Sequence, residues 1–241
     1  ELTPSLARMI VARQGALQFP LKWSAIAQCF RYERMTRGRK REHYQWNMDI
    51  VGEESVMAEA EVLGAAVAAL KALGLSHDEV GVRIGSRAVL MELFEASGLA
   101  QEHFMACCLA LDKRGKQSDE EIAALLAKEG LQPADIDRVF GLTGLATLQQ
   151  AVDRLAPDSP GLKTLRDLFA LAETLGFSDW LVFDLGVIRG LGYYTGIVFE
   201  AFDRNGKLRA IFGGGRYDRL LSDLGGQKTP CVGLGFGDVG I

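Results

Sequence analysis

The chain has 241 residues, is 48% hydrophobic and 24% charged, and carries a net charge of −4. This is the make-up of an ordinary globular protein with enough length to bury a sizeable core, as one large domain or two modest ones. The acidic balance excludes a global attraction to nucleic acid, so any such contact must come from local patches. Four cysteines (Cys29, Cys107, Cys108, Cys231) and three scattered histidines lack metal-ligand spacing, which argues against a structural zinc site and for reduced thiols. There is no signal peptide and no apolar run long enough to span a bilayer. The chain starts at Glu1 without Met and stops at Ile241 inside a Gly-rich apolar stretch, and so reads as a fragment of something longer.

Residues 4–14 have helical periodicity, with Leu6, Met9, Ile10 and Arg13 in step. Segments 23–34 and 44–51 alternate as strands and predict an antiparallel pair joined by a loop dense in Arg and Lys. A helix follows over 55–73, with Val56, Ala60, Leu63, Val67 and Leu70 in one stripe and Gly74 as its stop. A short strand, Val80 to Ile84, leads to a helix over 87–97. From 101 to 176 the pattern is helix-rich. Ser118 and Glu121 form a capping box for a helix over 119–128, and Ser159-Pro160 opens another that ends at Gly176. Strands resume at 180–185, 192–202 and 208–213, the last two joined as a hairpin by the Asn205-Gly206 turn. The expected class is α+β, a mainly antiparallel sheet flanked by helices, because hairpins rather than βαβ units link the strands. The division predicted is a core in two parts, 1–100 and 177–241, with a helical insertion over 101–176.

Chemistry concentrates in three clusters. Period-two alternation puts Arg31 with Glu33 on one face, and Gln45, Asn47 and Asp49 on one face of the next strand, with Trp46, Met48 and Ile50 opposite. The same pattern also fits a cross-strand ion pair on a wet sheet surface. The second cluster, IRGLGYYTG (188–196), sets Arg189 beside glycines that allow close backbone approach and before two tyrosines that can line a pocket. It equally fits a turn into a strand with core tyrosines. The third, GGGRYD (213–218), is a flexible or tightly curved segment or a phosphate-cradling loop, and matches neither a P-loop nor a dinucleotide fingerprint. Gly233, Gly235 and Gly237 alternate with Leu234 and Phe236, as in a strand against which a backbone or flat ring lies closely. No Ser or Cys comes with a positioned His. Arginines dominate, and arginine binds phosphate bidentately while staying charged.

Taken together, these clusters resemble class II aminoacyl-tRNA synthetases, specifically the histidyl-tRNA synthetase family. FRYERMTRGRKREHYQWNMDI resembles that family's motif 2, IRGLGYYTG and GGGRYD its two histidine-specific motifs, and ELTPSLAR the segment that holds the amino group of the amino acid. The likeness covers nearly the whole chain, the helical insertion matching in position only. It implies a ligase that forms histidyl-adenylate from L-histidine and ATP, with Mg²⁺ accompanying the nucleotide, and passes the histidyl group to tRNA(His). It implies that Arg31 holds the α-phosphate and Glu33 the adenine, and that Arg39 and Arg41 meet the outer phosphates. Arg189 becomes the second cation on the α-phosphate. Glu1, Thr3 and Gln45 hold the ammonium group, Asp49 faces the imidazole, and Tyr193, Tyr194 and Tyr217 line the histidine pocket. It further implies a homodimer built through a first motif ahead of Glu1, an anticodon-binding domain beyond Ile241, and a cytoplasmic enzyme, with mitochondrion or plastid as other compartments. The insertion is expected to contact the tRNA acceptor end. Two positions depart from the family: Gly192 stands where many members carry Asp, and GLGFGDVGI offers Asp238 and no terminal arginine. A synthetase-derived regulatory or structural subunit without catalysis is the alternative, against which stand the retained arginines.

Overall fold

The computed structural model describes residues 2–32, 40–114, 117–188, 192–206 and 210–240. Its centre is a seven-stranded sheet: β1 (Leu21–Phe30), β2 (Glu42–Val51), β3 (Val80–Ser86), β4 (Leu181–Phe183), β5 (Ile197–Asp203), β6 (Phe212–Arg216) and β7 (Cys231–Gly237). The spatial order is β1-β2-β7-β6-β5-β3-β4, and every pairing is antiparallel except β3 with β4. The helices are α1 (Thr3–Val11), α2 (Met57–Ala72), α3 (Arg87–Ala96), α4 (Phe104–Leu111), α5 (Asp119–Lys128), α6 (Pro133–Thr143), α7 (Leu148–Val152), α8 (Pro160–Thr174) and α9 (Leu220–Asp223). The α+β class predicted from the hairpin linkage is what forms.

Local signals account for the helix ends. Gly74 takes φ +84° after α2, and the Leu75 N–H donates to the Leu70 carbonyl at 3.1 Å, closing the helix with a left-handed glycine. The capping box forms: Glu121 N–H donates to Ser118 Oγ at 3.2 Å and Ser118 N–H to Glu121 Oε2 at 2.9 Å. Ser159 caps α8 through Leu162 N–H at 3.1 Å. One detail of α1 differs from its periodicity: Met9 is 63% exposed, because the helix turns Ala7 and Ile10 inward.

The two sheet faces have different lives. One carries Trp46, Met48, Ile50, Leu234, Phe236, Phe212, Phe199, Val82 and Ile84 and packs on α2 and α8 in the main core. Helix α8 thus belongs to the layer beneath the sheet although it lies in the helix-rich stretch, and buried side chains of α4, α5 and α6 join the same cluster. Between them lies the pair Arg216–Glu59. Arg216 Nε and Nη2 meet Glu59 Oε1 and Oε2 at 2.6 Å each, with Glu59 fully buried. The remaining donors of Arg216 reach the carbonyls of Glu53 and Ser55 and Asp218 Oδ1.

The other face is where the site lies. Its strands bring Gly213 and Gly215 beside Gly233, Gly235 and Gly237, and these beside Asn47, Asp49 and Gln45. The triple glycine is therefore neither a curved segment nor a phosphate loop but part of central strand β6. Its glycines are required by packing: a Cβ on Gly214 meets the Gly233 carbonyl oxygen at 2.0 Å. Strand β5 starts at Ile197, later than its expected start at 192. At one end of this face, α1 and α9 pack over Val51, Val198, Tyr194 and Tyr217.

Candidate active site

The glycines leave a flat floor, and side chains from β2 and the segment after β6 rise at its border. Asp49 is 4% exposed, and Tyr217 Oη donates to its Oδ1 at 2.6 Å. Burial pushes the Asp49 carboxyl up to about 6, against which the Tyr217 hydrogen bond pulls down. The Tyr217 hydroxyl is held well above its ordinary range, by burial first and then by the carboxylate beside it. Two residues along β2, Asn47 accepts from Gln45 Nε2 at 2.8 Å. That bond orients the Gln45 amide and leaves its carbonyl oxygen to accept from a cation. Tyr193 closes this corner, its ring 5.9 Å from that of Tyr217 in an edge-on contact.

The glycines opposite these side chains are what make room for them. In the register, Gly233 faces Asp49 and Gly235 faces Asn47. A Cβ on Gly233 stands 2.0 Å from Asp49 Oδ1, and one on Gly235 stands 2.6 Å from Gln45 Nε2. The expected result of Gly233→Ala is loss of the Asp49–Tyr217 bond, with a fall of about 100-fold in turnover of any substrate bound there, because a displacement near 1 Å is enough for that. Steady-state kinetics measure it; an unchanged rate refutes the steric assignment.

Of the other residues singled out in the sequence, Thr3 is the first residue of α1, whose Ala7 and Ile10 share the Tyr217 cluster. Tyr194 is buried in that same cluster, its ring 4.9 Å from Tyr193, so its side chain supports the wall from behind. Arg31 and Arg41 are exposed at the loop end of the β1–β2 hairpin, just past Phe30 and just before Glu42, where the Arg31 N–H donates to the Arg41 carbonyl at 2.7 Å. The Arg41 guanidinium lies 4.8 Å from the centre of the Tyr32 ring. Arg31 is four residues beyond Ala27, the partner of Gln45, roughly 13 Å along the strand direction. Glu1, Glu33, Arg39 and Arg189 lie outside the described residues. Asp238 Oδ1 accepts from the Tyr44 N–H at 3.1 Å, which extends the pairing of β2 past the end of β7. At Gly192 an added Cβ meets only Met105 Cε, at 4.0 Å, so there is space for a side chain there.

Two participants escaped sequence reasoning; a third, Asn47, is legible as a residue of the polar face, but its bond to Gln45 is not. Glu59 is a lone carboxylate between Ala58 and Ala60, and that interruption of an apolar stripe was the signal available. Arg87 is 4% exposed and hydrogen-bonds the segment around Tyr194; nothing in its neighbours RIGSRAVL marks it.

The histidyl-tRNA synthetase family profile matches residues 1–237. The chain belongs to the histidyl-tRNA synthetase family. It is 48% identical, over all 241 of its residues, to a protein of Arabidopsis thaliana named histidine–tRNA ligase, chloroplastic/mitochondrial, of which it covers 50%. It is 39% identical over 247 aligned residues to the histidine–tRNA ligase of Opitutus terrae, covering 99% of this chain and 56% of that one. The crystal structure of histidyl-tRNA synthetase from Nostoc sp. PCC 7120 superposes with a TM-score of 0.79 at 25% identity, over 96% of this chain and 56% of that one. The chain thus spans about half the length of these relatives. The mostly antiparallel seven-stranded sheet is the class II synthetase fold of this family, as the resemblance of its motifs led one to expect.

Proposed function

We propose that this protein is a histidine–tRNA ligase that activates L-histidine with ATP and transfers the histidyl group to tRNA(His). The observation that carries the reading is the buried Asp49 carboxylate on the glycine floor, held by Tyr217 and bordered by Gln45 and Tyr193. An ionised carboxylate there accepts the N–H of an imidazole ring. A ring lacking that N–H leaves a buried charge unpaired, which is an efficient basis for rejection. The Gln45 amide oxygen, with Glu1 and Thr3, takes the ammonium group, and Tyr193 covers the ring.

From Asp49 past Gln45 the hairpin leads toward Arg31, which follows the end of β1 at Phe30 rather than lying within the strand, a length that suits an extended amino acid–nucleotide conjugate. In this reading Arg31 and Arg189 hold the α-phosphate from two sides, Arg39 and Arg41 take the outer phosphates, and Glu33 meets the adenine. Two fixed cations stabilise the charge that builds as the histidine carboxylate displaces pyrophosphate in line. Among the described residues no group of three His, Cys, Asp or Glu side chains comes together as an ion cage. Mg²⁺ would enter with ATP, held through its phosphates and water, and neutralise phosphate charge. The helices over 101–176 are proposed to meet the tRNA acceptor end, and the enzyme to act as a homodimer. No helix among the described residues is long and apolar enough to cross a membrane. The reaction belongs where tRNA is charged, in the cytoplasm or in an organelle such as those named for the Arabidopsis relative.

Histidine-dependent exchange of pyrophosphate into ATP by the full-length protein is the test, and absence of exchange overturns the assignment in favour of a non-catalytic subunit. Arg189→Ala is expected to slow adenylate formation by 10²- to 10³-fold, on the order of the loss seen when one transition-state donor is removed. Histidine affinity, read by calorimetry, should change less than about twofold, since uniform binding and transition-state binding separate in this way. Equal losses in both would make Arg189 a binding residue only.

A further inference from the structure

Arg87 opens α3 directly after β3, and its side chain is buried. Its donors go to main-chain carbonyls of a segment a hundred residues away. Nε and Nη2 donate to the Ile188 carbonyl at 3.3 and 3.2 Å, and Nη1 donates to the Tyr194 carbonyl at 3.3 Å. The Arg87 main-chain N–H donates to the Gly196 carbonyl at 2.9 Å, and Asp184 N–H donates to the Ile84 carbonyl at 2.9 Å. The β3–α3 turn therefore grips the segment 184–196 at four acceptor or donor points, two of which belong to one guanidinium. Its two side-chain acceptors, Ile188 and Tyr194, lie on either side of residues 189–193 in sequence.

From these contacts we infer that Arg87 is a positioning residue for histidine activation: it fixes the main chain on both sides of residues 189–193 and so sets the Tyr193 wall of the pocket. The link to the site is direct. Tyr194 O is held by Arg87, the adjoining Tyr193 ring lies edge-on to Tyr217, and Tyr217 bonds Asp49. A guanidinium can do this because its planar fork serves two acceptors at once while staying charged. A lysine ammonium keeps the charge but is a single point on a flexible stem. The inference rests on the synthetase reading of the site.

The test compares parent, Arg87→Lys and Arg87→Gln in the full-length protein. Arg87→Lys is expected to lower kcat of histidine-dependent pyrophosphate exchange about ten- to 100-fold, the scale of a small displacement of reacting groups. Hydrogen–deuterium exchange should rise in amides 184–196 with the remaining sheet unchanged. In an Arg189→Ala background the same change should cost less than about twofold, because groups acting through one another are not additive. An inactive parent sinks the synthetase reading itself. An active parent with unchanged kcat and unchanged exchange in Arg87→Lys overturns the role of Arg87. So does failure of both variants to fold, or an independent, multiplicative loss in the Arg189→Ala background, since a purely structural arginine gives those results.

Discussion

Asp49→Asn should yield a protein that is more stable at pH 8 and no longer selects histidine. The Asp49 carboxyl titrates at about 6 in the folded chain against an ordinary value of 3.8, with burial the larger cause. Below pH 3.8 the group is protonated in both folded and unfolded chains and costs nothing. As pH rises, the unfolded chain releases its proton first, so the folded state loses ground until about pH 6, above which the cost is constant. A difference between 3.8 and about 6 corresponds to about 3 kcal/mol, an upper limit to what Asn returns at pH 8. Asn keeps an oxygen to accept from Tyr217 Oη, so the hydrogen bond at 2.6 Å need not be lost. Thermal unfolding of both proteins at pH 8 and pH 4 reads this directly: the gain should be present at the first and vanish at the second. A variant no more stable than the parent at pH 8 would show that Asp49 is not a strained carboxylate.

The functional half of the same prediction has the opposite sign. With Asp49 in its proposed role as acceptor of the imidazole N–H, removing its charge should lower kcat/KM for histidine by on the order of 100-fold. In the parent, histidine activation should fall as pH drops through about 6, where Asp49 takes up its proton and the free substrate imidazole does likewise. In the proposed site the buried acid would trade stability for recognition, as functional sites commonly do.

Glu59→Ala is the second large effect, and it acts on folding alone. It leaves Arg216, 7% exposed, without the carboxylate that accepts from both its Nε–H and its Nη2–H at 2.6 Å. Burial opposes the Arg216 charge and the Glu59 contact more than offsets it, so the guanidinium is held above its ordinary range. Breaking a buried pair from one side costs about 3–5 kcal/mol, a large part of the roughly 5–15 kcal/mol that holds a domain folded. Urea denaturation should show the midpoint falling accordingly with the slope unchanged. The double variant Glu59→Leu with Arg216→Met should recover most of the loss, since two apolar side chains leave no orphaned charge. A single variant with an unaltered midpoint would mean that Asp218 and the carbonyls of Glu53 and Ser55 satisfy Arg216 without Glu59.

Much of this architecture is legible along the chain because it is local. The stop at Gly74, the capping box at Ser118 and Glu121, and the alternation of Gln45, Asn47 and Asp49 against Trp46, Met48 and Ile50 each depend on residues a few positions apart. The glycine run at 213–215 shows where such reasoning stops. Alone, three glycines read as a bend. In place, β5 and β7 flank them and Gly233 O leaves no space for a side chain, so the same residues become the middle of a sheet.

By itself, then, the sequence determined the α+β class, the ends of the helices that carry a cap or a stop glycine, the polar face of the hairpin and the three motifs that point to a synthetase. These follow from periodicity, capping and residue chemistry, which act over a few positions. Only the tertiary structure decided that Tyr217 donates to Asp49 across 168 residues, that Arg216 of the third motif turns away from the site to Glu59, and that Arg87 grips the carbonyls on either side of residues 189–193. The physical reason is common to all three. A buried donor or acceptor must be matched, and which distant group matches it is settled by the strand order and register that bring the two together, not by the residues next to either.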